Sequence, residues 1–325
     1  MKLNRRNFIN TGGTALAGTM VLPPFLHSCE SKTLSENMQS YLDHFSVTTE
    51  MLQKVISEAM SKGGDYADLF FEHKISNTLS LEDGKVNQAY SNVDYGVGVR
   101  VLKGDQSGFA YSESVSLEEM LQVAKTAANI ASNPQTFDQR QMEEKIPADY
   151  YKISKKWEHI SVEDKLPYLQ KINDRVFELD KKVSKVMASL NDETAYILFF
   201  NSEGRLTYDY RPLVVFGLYG IMEMNGQMER ASSSRSFRKG FEWLSDDLVE
   251  EMATEFITRA NIMFEAGKPK AGEMPVVLGA GGSGILLHEA IGHAFEADFN
   301  RKKTSIFSDK MGKGIAADFV NIIED

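Results

Sequence analysis

Cysteine is nearly missing from this chain. The single one, Cys29, lies close to the start, so no disulfide within the chain can support its fold in any compartment. Positive charge is also short. Thirty-six Lys and Arg face 46 Asp and Glu, a formal net charge of −10, and phosphate recognition needs a basic footprint that this balance does not give, which argues against nucleic acid as a partner. No apolar run reaches the ~20 residues that a membrane-spanning helix requires. Histidine is sparse as well, six in 325 residues, so each cluster of them is worth following. What is present in quantity is apolar surface. A 42% hydrophobic chain of this length can bury cores for about two domains.

Residues 1–31 read as a targeting segment. Arg5-Arg6 stands ahead of a mildly apolar, glycine-containing run from Thr11 to Leu26, the order of parts found in twin-arginine export signals. That pattern predicts export to the periplasm. Leu26-His27-Ser28-Cys29 has the outline of a lipoprotein cleavage box, which would anchor the chain through Cys29, although His27 is unusual there.

The body of the chain predicts an α+β protein with two lobes, 45–132 and 139–240, each with an antiparallel sheet, followed from 246 to 325 by the start of a further domain. Residues 33–46 are polar and read as a linker. A helix is expected over 50–60, where Met51, Leu52, Val55, Ile56 and Ala59 share one side. Strands are expected at 66–72, 76–82, 86–90, 95–102 and 107–111, with Asp83-Gly84 as a hairpin turn. A helix over 117–131 closes the first lobe. Residues 132–156 read as a connector. The second lobe follows the same plan: a helix over 161–180 with Pro167 near its first turn, then strands at 183–190, 195–201, 205–210, 213–225 and 227–237. An amphipathic helix over 246–264 reads as a packing element without chemistry of its own.

The stretch Gly279–Asp298, GAGGSGILLHEAIGHAFEAD, carries the chemistry. It follows the apolar run Met274–Leu278, expected as a strand, and a glycine-rich turn. His288 and His293 offer imidazoles, and Glu289 offers a carboxylate beside the first. This is the donor set of a metal site with a base next to it. The spacing is not the usual one. Zinc helices place their histidines at i and i+4, whereas these stand at i and i+5, about 140° apart on a straight α-helix. A π-bulge or a local break would reunite them, and Gly292 loosens the backbone at that point. A straight helix favours another set, Glu289, His293 and Glu296 at i, i+4 and i+7, with Glu296 as an alternative ligand and His288 left out. Two histidines on an apolar helix can also be plain packing residues. Asp298 is a candidate to orient a ligand histidine from behind.

Gly279, Gly281 and Gly284 match the dinucleotide-binding glycine pattern, but too few residues follow for the βαβ repeats of that fold. The glycines better suit close approach of a substrate to free backbone N–H groups. Arg100 and Arg211 are left as solvated strand residues. The run Asn300-Arg301-Lys302-Lys303 reads as a solvated turn.

Residues 271–316, AGEMPVVLGAGGSGILLHEAIGHAFEADFNRKKTSIFSDKMGKGIA, together with DYADLFFE, GVGVRVLKGDQSGFAYS and FNSEGRLTYDYRP upstream, resemble the TldD/PmbA family of zinc metallopeptidases on its TldD side. The likeness spans nearly all of the chain after about residue 45. It implies that His288 and His293 bind Zn2+, that Glu289 is the base, and that the third protein ligand is a cysteine far downstream. It also implies short or unfolded peptides as substrates, and a homodimer or a heterodimer with a PmbA-like subunit. Because the only cysteine is Cys29 and the sequence ends at Asp325, the expectation is the N-terminal two-thirds of such an enzyme. The alternative expectation is a non-catalytic PmbA-like or truncated binding subunit of a family dimer.

Overall fold

The computed structural model describes residues 34–131 and 137–322. The expected targeting segment, with Arg5, Arg6 and Cys29, lies outside the described residues. The chain divides into two compact units between Ala266 and Gly267.

The first unit is built on a seven-stranded sheet. Its helices are α1 (Glu36–His44) and α2 (Thr49–Met60), followed by strands β1 (Tyr66–Glu82), β2 (Lys85–Lys103) and β3 (Gln106–Ser112) and helix α3 (Leu117–Ala128). After the connector, which carries the two-residue strand β4 (Glu143–Glu144), come α4 (Val162–Leu179), β5 (Val183–Asn201), β6 (Arg205–Met224), β7 (Gln227–Phe237) and α5 (Asp246–Glu265). The strand order is β3-β2-β1-β5-β6-β4, with β7 also paired to β6. Every pairing is antiparallel except the short β4–β6 bridge. The α+β class and the antiparallel sheet read from the sequence are therefore present.

The two lobes share that sheet. Residues 66–72 and 76–82, expected as separate strands, are the two halves of β1, and β2, β5 and β6 each join two expected strands in the same way. The joints contain neither the glycine nor the tight turn that would end a ladder, and their polarity misleads because polar residues here sit between two apolar cores. One core gathers Leu69 and Phe71 of β1, Val99 of β2, Leu198 of β5 and Leu206 of β6 under α1, α2 and α3. The other gathers Leu79 and Leu81 of β1, Leu190 of β5 and Phe216 of β6 under α4 and α5. Those positions keep one parity along each strand, so both cores lie on one face of the sheet.

Turns fix the register. Asp83 and Gly84 take φ of 48° and 74° between Glu82 and its partner Lys85, the left-handed pair that a two-residue hairpin needs. Asn225 and Gly226, at 54° and 80°, do the same between Met224 and Gln227. Gly220 serves packing instead. A Cβ there would sit 2.7 Å from the Phe256 ring and 2.6 Å from the Lys185 carbonyl oxygen, so only glycine lets α5 lie this close to β6.

Residues 36–44, expected as linker, form a docked helix. Met38, Leu42 and Phe45 are buried, a stripe at i, i+4 and i+7 within a polar composition. Ser35 caps it by accepting the Met38 N–H at 3.1 Å.

Several polar groups between the two cores are paired with one another. Glu158 accepts hydrogen bonds from the Tyr196 hydroxyl and, at 3.0 Å, from the Tyr210 hydroxyl. Burial and the Glu158 carboxylate hold the Tyr196 phenol above the usual tyrosine range. His44 and His73 meet ring nitrogen to ring nitrogen at 2.8 Å. Deeper still, Lys165 of α4 pairs with Asp192 of β5 at 2.6 Å, their side chains 4% and 1% exposed. Asn77 of β1 donates to the other Asp192 oxygen at 2.8 Å.

Removing one member of a buried ion pair strands the other charge in a low-dielectric site, at about 3–5 kcal/mol. Lys165→Ala is expected to lower the unfolding free energy by that amount in urea titrations. A loss below about 1 kcal/mol, the level of a surface pair, would show that Asp192 is not desolvated as described.

Candidate metal centre

In the second unit, Met274–Leu278 does not form the expected strand. Val276 and Val277 are 72% and 96% exposed. An apolar run becomes a strand only where a neighbour takes up its backbone hydrogen bonds, and among the described residues these have none. The glycine turn then enters α6 (Ser283–Leu287). Gly281 adopts φ of 106°, and the Ser283 hydroxyl donates to the Gly279 carbonyl. With no strand before it, the glycine pattern lacks the context of a dinucleotide site.

Beyond α6 the helical hydrogen-bonding changes period. Residues His288–Gly292 form a π turn. The His293 N–H donates to the His288 carbonyl, five residues back. A short 3₁₀ turn, His293–Phe295, and helix α7 (Ala297–Arg301) follow. The extra residue in the turn cancels most of the rotation that an α-helix would place between i and i+5. The two imidazoles consequently stand together, with ring centroids 4.4 Å apart and planes crossed at 67°. The space at Gly292 does not itself require glycine, since a side chain would make only an ordinary contact with His288. A Cβ there would lie 3.4 Å from His288 Nδ1.

His288, Glu289 and His293 each bring a donor atom within 4.8 Å of the others. Glu289 Oε2 is 3.6 Å from His293 Nε2. Two imidazole nitrogens and one carboxylate oxygen converging on one point suit a divalent transition metal, and zinc in particular. The donor set thus fits an ion of that class.

Glu296, the alternative ligand, lies elsewhere. Its Oε1 is 2.6 Å from His293 Nδ1, on the far side of the ring from Glu289. The hydrogen bond to this carboxylate, with a further contribution from the Glu289 charge, raises the His293 pKa above the ordinary histidine value. Asp298, expected to orient a histidine, pairs with Lys302 at 3.4 Å instead. The orienting contact belongs to Glu296, because the 3₁₀ turn brings i+3 under the imidazole. Asn300, expected as part of a solvated turn, has a structural part. It donates from Nδ2 to the carbonyls of both Ala294 and Glu296, each at 2.9 Å. The asparagine between a helix and a basic turn was the available signal. In the first unit, Arg100 and Arg211 are held by Asp68 and Asp209 at 2.5 and 2.7 Å.

Raised basicity at His293 can be tested directly. In proton NMR titrations its midpoint should lie above the ordinary value of 6.5, so it keeps its proton to higher pH than a free imidazole does. Glu296→Gln should bring the midpoint down. An unchanged midpoint in that variant would remove the carboxylate as its cause.

Comparison with known proteins matches three successive family models: PmbA/TldA metallopeptidase domain 1 over residues 67–131, the central domain over 155–264 and the C-terminal domain over 271–325. A protein of Haemophilus influenzae named metalloprotease TldD homolog is 32% identical over 304 residues, 90% of this chain and 62% of that protein. A zinc metalloprotease TldD homolog of Saccharolobus solfataricus is 25% identical over 75% of this chain and 53% of its own length. The crystal structure of TldE from Thermococcus kodakarensis superimposes with a TM-score of 0.60 at 16% identity, covering 80% of this chain and 58% of that one, a likeness of fold. The chain spans about three-fifths of the length of curated relatives that it matches.

Proposed function

We propose a function for this chain from the premise that it belongs to the TldD/PmbA metallopeptidase family: it contributes the histidines and the general base of a zinc-dependent site that hydrolyses peptide bonds. The observation that carries this reading is the π turn, which sets His288, Glu289 and His293 donors within 4.8 Å of one another. Relatives named metalloprotease, one of them zinc metalloprotease, support the metal and the reaction class.

His288 and His293 would hold the ion through ring nitrogens, with His293 Nε2 as the nitrogen on the Glu289 side. When bound, zinc supplies Lewis-acid polarisation of the scissile carbonyl and acidifies the attacking water. Glu289 would take a proton from the attacking water and pass it to the leaving amine. Among the described residues Glu289 faces His293 at 3.6 Å and forms no ion pair with a lysine or arginine, which suits a base.

Short or unfolded peptides as substrates, and a homodimer or a heterodimer with a PmbA-like subunit, belong to the same proposal. Export by a twin-arginine route rests on Arg5-Arg6 and the run to Leu26.

Glu289→Gln keeps the shape of the side chain and removes its basicity. It should lower peptide cleavage by roughly 10²–10⁴-fold while zinc content, measured by atomic absorption, stays at the wild-type level. His288→Ala should lose the zinc. Undiminished cleavage by Glu289→Gln would take that residue out of the mechanism. Stoichiometric zinc with no cleavage by the wild-type chain, alone or with a PmbA-like subunit, would favour a binding role.

A further inference from the structure

The π turn brings the imidazoles together but does not by itself decide which nitrogen of His293 faces the ion. A histidine ring can present Nδ1 or Nε2, and the choice is set by what the other nitrogen touches. We propose that Glu296 is a positioning residue of this site: its carboxylate accepts the Nδ1–H of His293 and so fixes Nε2 as the nitrogen turned toward Glu289. The inference rests on the metal-site reading for its purpose, though not for its geometry.

The contact is specific on both sides. Glu296 Oε1 stands 2.6 Å from Nδ1, while Nε2 lies 3.6 Å from Glu289 Oε2. A carboxylate accepts, so in the neutral ring the proton belongs to Nδ1 and the free lone pair to Nε2. That tautomer is the one a metal can use from the Glu289 side without displacing a proton. Glu296 reaches the ring because the chain bends at it, with φ −55° and ψ 136° between two helical turns.

The bend is held by residues whose sequence reads as a solvated turn. Asn300 spans it, donating to the carbonyls of Ala294 and Glu296 from one amide. The Ser305 hydroxyl donates to the same Ala294 carbonyl at 2.6 Å. Phe295, next to Glu296, stacks on Phe307 with centroids 4.8 Å apart. Thr304 returns to the Phe299 carbonyl through both its N–H, at 3.0 Å, and its hydroxyl, at 3.1 Å. The segment from Asn300 to Phe307 therefore acts as a clip that keeps the Glu296 carboxylate under the imidazole. This gives the run after the histidines a purpose that requires no contact with substrate.

Two measurements on the 325-residue chain test the proposal. In nitrogen-15 NMR of the metal-free protein, at a pH well above the imidazole range, His293 should be the Nδ1–H tautomer, and Glu296→Ala should shift it toward Nε2–H. The same tautomer in both proteins would overturn the proposal. In zinc titrations, Glu296→Ala should weaken binding by roughly 10–100-fold. Glu296→Gln, whose amide oxygen can still accept the Nδ1 proton, should recover part of that loss. Equal loss in both variants would mean that Glu296 ligates the ion itself, and would also overturn the proposal. Asn300→Ala should weaken zinc in the same direction as Glu296→Ala while leaving the far-ultraviolet circular dichroism of the chain unchanged. If wild-type protein takes up no zinc but the tautomer still shifts with Glu296→Ala, the metal reading fails and the positioning role stands.

Discussion

Backbone hydrogen bonding along three long strands is the constraint on which the first unit depends. β1, β5 and β6 run for 17, 19 and 20 residues, and their ladders continue through stretches where the side chains turn polar. A strand interior cannot leave its N–H and C=O groups unpaired away from water. Once the apolar halves on either side are in register, the polar middle is drawn into the ladder with them. The consequence is one sheet carrying two cores on a single face, with helices α1 to α3 over one and α4 and α5 over the other.

The polar middle in turn has to satisfy itself. Glu158 is met by two tyrosine hydroxyls, and Asp192 by Lys165 and Asn77. Such pairs add little net stability compared with apolar packing. They do define the register, because a slip by one residue would point each of these groups to the wrong face. That Lys165 belongs to α4 and Asp192 to β5 also ties a helix to a particular position on the sheet, which apolar contact alone would leave less specified.

In the second unit the decisive feature is a single extra residue in a helical turn. The π turn at His288–Gly292 converts a spacing that would separate two imidazoles into one that joins them. It does so next to a glycine and immediately before a 3₁₀ turn, so three helical periods follow one another within thirteen residues, Ser283–Phe295. Each change of period aims one side chain: His293 toward His288, then Glu296 back toward His293. Backbone irregularity of this kind has an energetic cost that ordinary helices avoid, and it is commonly found where a site needs particular vectors.

The sequence by itself determined a good deal. Its alternation and turn residues fixed the α+β class, Asp83-Gly84 as a hairpin, and most helices to within a few residues, because those features depend on local sterics and on burial periodicity. It also named His288, Glu289 and His293 as one donor group, and the i, i+5 spacing already required a break in the α-helical period. Other features were closed to it. That residues 73–78 continue a strand follows from neighbours more than a hundred positions away in β5. That residues 36–44 are a docked helix follows from a core waiting to receive Met38 and Leu42. Between Glu296 and Asp298, spacing offered no means of choosing the partner of His293; the turn geometry chose, because hydrogen bonds depend on where side chains arrive in space and only the folded backbone sets that.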